Sequence, residues 1–130
     1  MNESKTLRRA FAANAIFSLA AAASFLLGGG AIAASLGLAS PLPLQLVGAG
    51  LAPFGVYLLW LSRRDELTRR EGRIVSLLDA EWVLGTAILL FGWPELMNAR
   101  GHTVAIAIAA VVAGFAVWQW TGTQRILQTR

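Results

Sequence analysis

Long apolar runs alternate with short polar segments along this chain. Four of the runs predict membrane-spanning helices, at about residues 10–27, 42–61, 74–93 and 104–120. Roughly 20 consecutive apolar residues are needed to cross the hydrocarbon core of a bilayer. These runs are apolar around the whole helix, whereas the helices of a soluble bundle would carry a polar outer face. The pattern therefore predicts an all-α polytopic membrane protein, a four-transmembrane-helix up-down bundle in which residues 1–130 form a single domain.

Three consecutive glycines interrupt the end of the first apolar run. Gly28–Gly30 follow directly after Leu27, and each glycine weakens a helix by roughly 1 kcal/mol relative to alanine. We expect the first helix to end or bend here, which leaves residues 31–38 as a short interfacial helix on the outer side. The alternative is one long tilted helix that continues to about Ser35.

Basic residues are concentrated at one end of the predicted bundle. Only Arg100 falls in an opposite loop. The positive-inside rule then places both termini in the cytoplasm, and the loop cluster between the second and third spans is a contact for anionic lipid headgroups. The other ten basic residues are Lys5, Arg8 and Arg9 before the first span, Arg63, Arg64, Arg69, Arg70 and Arg73 in that loop, and Arg125 and Arg130 after the fourth span.

The first span also has features of an export signal. RRAF (residues 8–11) precedes the apolar run, and AIA (residues 31–33) follows it. The run of about 18 residues is longer than the usual 7–15 of a signal core. We therefore expect an uncleaved first span.

The composition excludes several classes of function. The chain is 56% hydrophobic and 14% charged, it contains no cysteine, and His102 is its one histidine. Disulfides, thiolate catalysis and cysteine or multi-histidine metal sites are therefore excluded. The sequence has no Ser-His-Asp set, phosphate-binding glycine loop or nucleic-acid-reading module. We expect no cofactor, no metal and no nucleic acid partner, and the lack of a complete catalytic set argues against an enzyme.

The third span, Ile74–Trp93, is the one span that contains charged residues. An acidic side chain inside a spanning helix is costly, so it faces protein or water rather than lipid. Asp79 and Glu81 lie about 200° apart around the helix, so they cannot share one narrow face. We expect one of them to face the bundle and the other to reach toward the basic loop or a partner chain. Either rotation of the helix fits the sequence.

Polar residues in two other spans fall at the same depth as Asp79. Asn14 and Ser18 lie one turn apart in the first span, and Gln119 approaches the same layer from the fourth. We expect these four side chains to converge near the cytoplasmic surface, with Trp82 as their apolar floor. The layer is either a proton- or cation-responsive carboxylate site or a structural hydrogen-bond cluster that locks the helices together.

Four features of the layout extend over the whole chain. They are the basic start, the glycine-interrupted first span, the YLLWL ending of the second span (Tyr57–Leu61) and the D-x-x-W-V-L-G opening of the third (Asp79–Gly85). This layout resembles that of small four-helix inner-membrane proteins of bacteria. The resemblance implies a multi-pass protein of the bacterial inner membrane, and it carries no functional residue over.

Three functions fit these features. The first is a non-enzymatic accessory or structural subunit of a membrane complex, which packs against another protein through small residues. The second is a small homo-oligomeric transporter or channel that uses Asp79 or Glu81, and the third is a lipid-headgroup-binding protein or enzyme with a pocket under the basic loop. We favour the first, because the chain has no soluble domain and no complete catalytic set. The small residues of the fourth span are Ala109, Ala110, Ala113 and Gly114.

Overall fold

The structure, a computed structural model, describes residues 5–129 and the side chains of residues 5–126. The first residues of the predicted basic arm, and Arg130, lie outside the described residues. Each of the four α-helices is long and apolar enough to cross a membrane, which confirms the prediction of an all-α chain with four candidate spans. The helices are α1 (Lys5–Leu36), α2 (Leu42–Ser62), α3 (Arg69–Gly92) and α4 (Ala99–Thr129), with a 3-10 turn at Pro94–Leu96.

The glycines of α1 bend the helix. Gly28 has non-helical backbone angles (φ −113°, ψ 15°) at the junction of two helical segments. A second helical segment continues beyond this bend to Leu36 and includes most of residues 31–38. The helix is closed at Gly37, whose φ of 79° lies in the left-handed region that favours glycine. The Leu38 N–H donates to the Ala33 carbonyl oxygen (2.9 Å) and satisfies an otherwise unpaired acceptor at the helix end.

The helices pack in the spatial order α2, α1, α4, α3. α1 contacts both α2 and α4, and α3 packs against α4. Short loops join consecutive helices, so that neighbours along the chain run in opposite directions. A closed up-down bundle would also pair α2 with α3. In this chain α2 and α3 do not pack closely against each other, and the bundle is open along that side.

The buried core lies at one end of the bundle, where all four helices meet the loop between α2 and α3. This end also carries the described basic residues except Arg100, and we call it the basic end. Beyond the core, α2 and α3 separate and leave a cleft between them. The core residues are Leu7, Phe11, Ala15, Leu58, Leu61, Leu67, Val75 and Ile126.

A capping box fixes the start of α3 beside this core. The Glu71 N–H donates to Thr68 Oγ1 (3.3 Å), and the Thr68 N–H donates to the Glu71 carboxylate (2.8 Å). This reciprocal pair satisfies two backbone donors that a helix start leaves unpaired. The same carboxylate forms an ion pair with Arg64, so the loop and the first turn of α3 are held together.

Glycines allow the helices to approach closely at the basic end. A Cβ on Gly122 of α4 would lie 2.9 Å from the Leu7 backbone nitrogen of α1, and a Cβ on Gly72 of α3 would overlap Thr123 Oγ1 of α4. Small residues permit such backbone contact. Gly114, in the predicted small-residue face of α4, makes no such approach within the chain, because a Cβ there would have no atom within 4 Å. The close packing of α4 depends on small residues nearer its basic end.

Candidate functional site

Three helices meet at a closed set of side-chain hydrogen bonds beside the core. Asn14 Nδ2 of α1 donates to Asp79 Oδ2 of α3 (2.9 Å) and to Gln119 Oε1 of α4 (2.8 Å). Gln119 Nε2 donates to the same Asp79 oxygen (2.6 Å). The three residues are 1%, 4% and 0% exposed in the order Asn14, Asp79, Gln119. We call these three residues the amide–carboxylate ring.

Helical spacing from the core places the members of the ring. Asp79 lies one turn after Val75, and Asn14 lies nearly one turn after Phe11, so each follows a buried core residue on the same face of its helix. Ser18 lies one turn beyond Asn14 and donates its hydroxyl to Asn14 Oδ1 (3.1 Å). Both oxygen and nitrogen of the Asn14 amide therefore have partners. The structure brings together the four polar residues that the sequence placed at one depth.

The ring holds an acidic group without a basic partner. Among the described residues, no Lys or Arg side chain forms an ion pair or hydrogen bond with Asp79. The two amides supply its donors and connect α1, α3 and α4. A buried polar group needs such partners, because an unpaired one costs several kcal/mol in an apolar surrounding, of the order of 2–7 kcal/mol. The described part of the chain also contains no group of three or more His, Cys, Asp or Glu residues that could hold a metal ion.

The cleft between α2 and α3 begins at the ring and extends toward the opposite end of the bundle. It has two adjoining parts, with volumes of about 310 and about 390 Å³. Asn14, Ser18 and Asp79 line the first part, and the rest of its lining is apolar. The second part is lined mostly by apolar side chains such as Leu44 and Leu89. An elongated, mostly apolar cleft with a few polar groups in its lining can hold an amphiphilic molecule.

Trp82 lies one turn beyond Asp79 and lines both parts of the cleft. The sequence predicted this indole as an apolar floor, and the structure places it in the cleft wall. Its Nε1 atom is buried and has no hydrogen-bond partner among the described residues. A buried indole N–H usually has a partner.

Glu81 points away from the ring. Asp79 is buried in the bundle, whereas Glu81 is exposed, so the rotation of α3 that the sequence left open is decided. No hydrogen bond or ion pair within residues 5–126 involves Glu81. It lies at the edge of the second part of the cleft. The two acids therefore do not form one site.

The arginines between the second and third predicted spans, which we expect to contact lipid headgroups, are partly paired and partly exposed. Arg64 pairs with Glu71, and its guanidinium carbon lies 5.1 Å from the centroid of a Trp60 ring. Arg8 donates to the Arg64 carbonyl oxygen (3.3 Å) and connects α1 to the loop. The side chains of Arg63, Arg69, Arg70 and Arg73 are exposed, and the last three border a shallow depression at the start of α3.

Two features of the site had no place in the sequence prediction. Thr123 is fully buried and donates to the Gln119 carbonyl oxygen (2.8 Å) one turn away, against Gly72 of α3. Gly122 beside it allows α1 to approach. The T-G-T segment before the C-terminal basic residues was the available signal, because small residues mark close helix contacts.

Comparisons with protein-family models, with curated proteins and with solved structures give no match to this chain.

Proposed function

We propose that this chain is a multi-pass membrane protein that acts as a non-enzymatic accessory subunit of a membrane complex. The observation that carries the proposal is Glu81, an exposed acid on a helix that is otherwise long and apolar enough to span a membrane. Glu81 lies seven residues beyond Ile74, or roughly 10 Å into the apolar part of α3 at a rise of 1.5 Å per residue. Lipid does not solvate a carboxylate at that depth.

A partner protein packed against α3 would shield the Glu81 carboxylate from lipid. Glu81 has no described partner within its own chain, and the surrounding surface of α3 is apolar. An exposed apolar surface with one polar group is typical of an interaction site. A second protein that covers α3 would remove Glu81 from lipid and bury the apolar side chains beside it.

The proposed orientation follows from the charge distribution. With nine of the described basic residues at one end and Arg100 at the other, the basic end lies in the cytoplasm of a bacterium by the positive-inside rule. Exposed arginines of the loop then contact anionic lipid headgroups. Because the natural chain has no cysteine, single cysteines at Ser40 and at Glu66 would test this with a membrane-impermeant maleimide. Labelling of the Glu66 position in intact cells would contradict the proposed orientation.

Native mass spectrometry after gentle extraction tests the proposed function. We expect a stoichiometric foreign subunit on the wild-type chain. A benzophenone attached to a single cysteine should then form a covalent adduct with that subunit from Leu84→Cys of α3 but not from Ile16→Cys of α1. The two positions are matched controls, because their side chains are 61% and 68% exposed. A chain that is monomeric in the native membrane, with no adduct from either position, would overturn the proposal.

The cleft supports a second candidate function, a small homo-oligomeric transporter that uses Asp79. The supporting observation is that Asp79, Asn14 and Ser18 line the inner end of an apolar cleft, where an amphiphilic solute could meet a carboxylate. Flux of a lipophilic amine into liposomes that contain the purified chain tests it. Flux that is lost in Asp79→Asn and retained in Glu95→Gln would favour transport over the accessory function.

A further inference from the structure

One face of α3 presents a regular row of exposed large side chains with Glu81 in its middle. The positions are separated by alternating steps of three and four residues. This spacing is the heptad a/d pattern by which two helices pack side by side. We call the row the α3 seam, and its members are Ile74, Leu77, Glu81, Leu84, Ile88 and Phe91.

The dimensions of the seam fit a helix. From Ile74 to Phe91 it covers 17 residue steps, or roughly 26 Å along the helix axis, close to the roughly 30 Å of a hydrocarbon core. Phe91 is 88% exposed and Leu84 is 61% exposed. A small amphiphile would cover one or two of these side chains, whereas a parallel or antiparallel spanning helix would cover all of them.

Charge separates α3 from the other helices. The apolar stretches of α1, α2 and α4 contain no Asp, Glu, Lys or Arg between residues 10 and 62 or between residues 101 and 124. Lipid can therefore cover the exposed faces of those helices. The α3 seam carries an acid whose charge needs a partner at the same depth, because a single polar residue in an apolar seam sets the register and the choice of partner.

A second copy of this chain cannot supply that partner. The basic residues all lie at the helix ends or in the loops, and no span interior contains Lys or Arg. Arg73 precedes the seam by one position and Arg100 follows α3, so neither reaches the depth of Glu81 in a second copy packed along the whole seam. The cation must come from another polypeptide.

We infer that the α3 seam binds a transmembrane helix of a different protein that carries one Lys or Arg at the depth of Glu81. The inference rests on the proposed accessory function and identifies the partner by its chemistry. Apolar side chains of the partner helix pack between Leu77, Leu84 and Ile88, and its basic side chain forms an ion pair with Glu81. Assembly buries both charges together, and either helix alone in lipid would carry an unpaired one.

Synthetic transmembrane peptides test this chemistry without knowledge of the natural partner. The probe is a Leu/Ala helix of about 20 residues with a single central Lys, and the control peptide has Leu at that position. Binding in lipid bilayers is measured by energy transfer to a dye on Ser40→Cys, which lies in the loop between α1 and α2. We expect the Lys peptide to bind the wild-type seam roughly tenfold more tightly than the Leu peptide, since an unpaired Glu81 destabilises the free state.

Variants of the acid separate a charge pair from general apolar binding. Glu81→Gln should remove the difference between the two peptides, and Glu81→Lys should reverse it in favour of a peptide with a central Glu. Glu95→Gln, an exposed acid outside α3, should leave the preference intact. Because Glu81 has no described partner, these variants should keep wild-type helicity by circular dichroism.

Three results would overturn the inference. The first is equal binding of the Lys and Leu peptides, and the second is a preference that survives in Glu81→Gln. The third is self-association of the chain that Glu81→Gln weakens, which would place a second copy on the seam. If the peptides show no preference but the native complex is still found by mass spectrometry, the cation chemistry fails and the accessory function stands.

Discussion

The amide–carboxylate ring should contribute measurably to the stability of the bundle, and Asp79→Ala is the change that tests it. The substitution removes the oxygen that accepts from Asn14 Nδ2 (2.9 Å) and from Gln119 Nε2 (2.6 Å). Asn14 keeps its bond to Gln119 Oε1 (2.8 Å). The Gln119 Nε2 loses the one described acceptor that it has in the ring.

The expected loss in the free energy of unfolding follows from these two hydrogen bonds. Side-chain hydrogen bonds between transmembrane helices contribute about 0.6 kcal/mol on average and up to about 1.7 kcal/mol. Two such bonds lead us to expect a loss of roughly 1–3 kcal/mol in the free energy of unfolding for Asp79→Ala. Asp79→Asn should lose less, because its amide oxygen can still accept while the side chain keeps its size.

Reversible unfolding in mixed micelles with increasing SDS measures these losses, with helicity as the signal. Asn14→Ala alone and together with Asp79→Ala completes a double-mutant cycle, whose coupling energy should be about 0.6–1.7 kcal/mol. Ser24→Ala is the control, because the Ser24 hydroxyl is exposed and donates within its own helix (2.9 Å). It should change stability by less than about 0.5 kcal/mol.

Two outcomes would refute the reasoning. If Asp79→Ala costs no more than Ser24→Ala, the buried bonds do not hold the helices together. If Asp79→Ala is costly but the coupling to Asn14 is near zero, the Asn14–Asp79 hydrogen bond contributes nothing to the stability of the bundle.

Four further substitutions test the packing and the helix ends by the same unfolding assay. Gly72→Ala should cost roughly 1–3 kcal/mol, because its Cβ would overlap Thr123 Oγ1. Gly85→Ala, where a Cβ meets no atom within 4 Å, should be neutral or stabilising by up to about 1 kcal/mol, and an equal loss in both variants would contradict the overlap. Gly37→Ala should cost roughly 1–2 kcal/mol, because φ is 79° there. Thr68→Ala removes the capping box and should cost about 1 kcal/mol and speed amide exchange in the first turn of α3; unchanged exchange would show that the cap does not hold that turn.

The number and approximate positions of the helices could be predicted from the sequence. A spanning segment must satisfy its backbone hydrogen bonds internally, so an apolar run of sufficient length becomes a helix. Depth was also predictable, because the rise per residue is constant and charged residues bound each run. This is why Asn14, Ser18, Asp79 and Gln119 could be placed in one layer before their hydrogen bonds were seen.

Rotation and neighbour choice depended on the tertiary structure. Helices that are apolar on all sides have no polar face to set their orientation, so Asp79 and Glu81 were equivalent until the packing of Gly72 and Val75 turned one inward. The open side between α2 and α3 could not be predicted from the sequence either, because it depends on which helix pairs approach closely. Which helices pack together depends on contacts such as that of Gly122 with Leu7. These contacts join residues far apart in the chain, so local sequence patterns do not predict them.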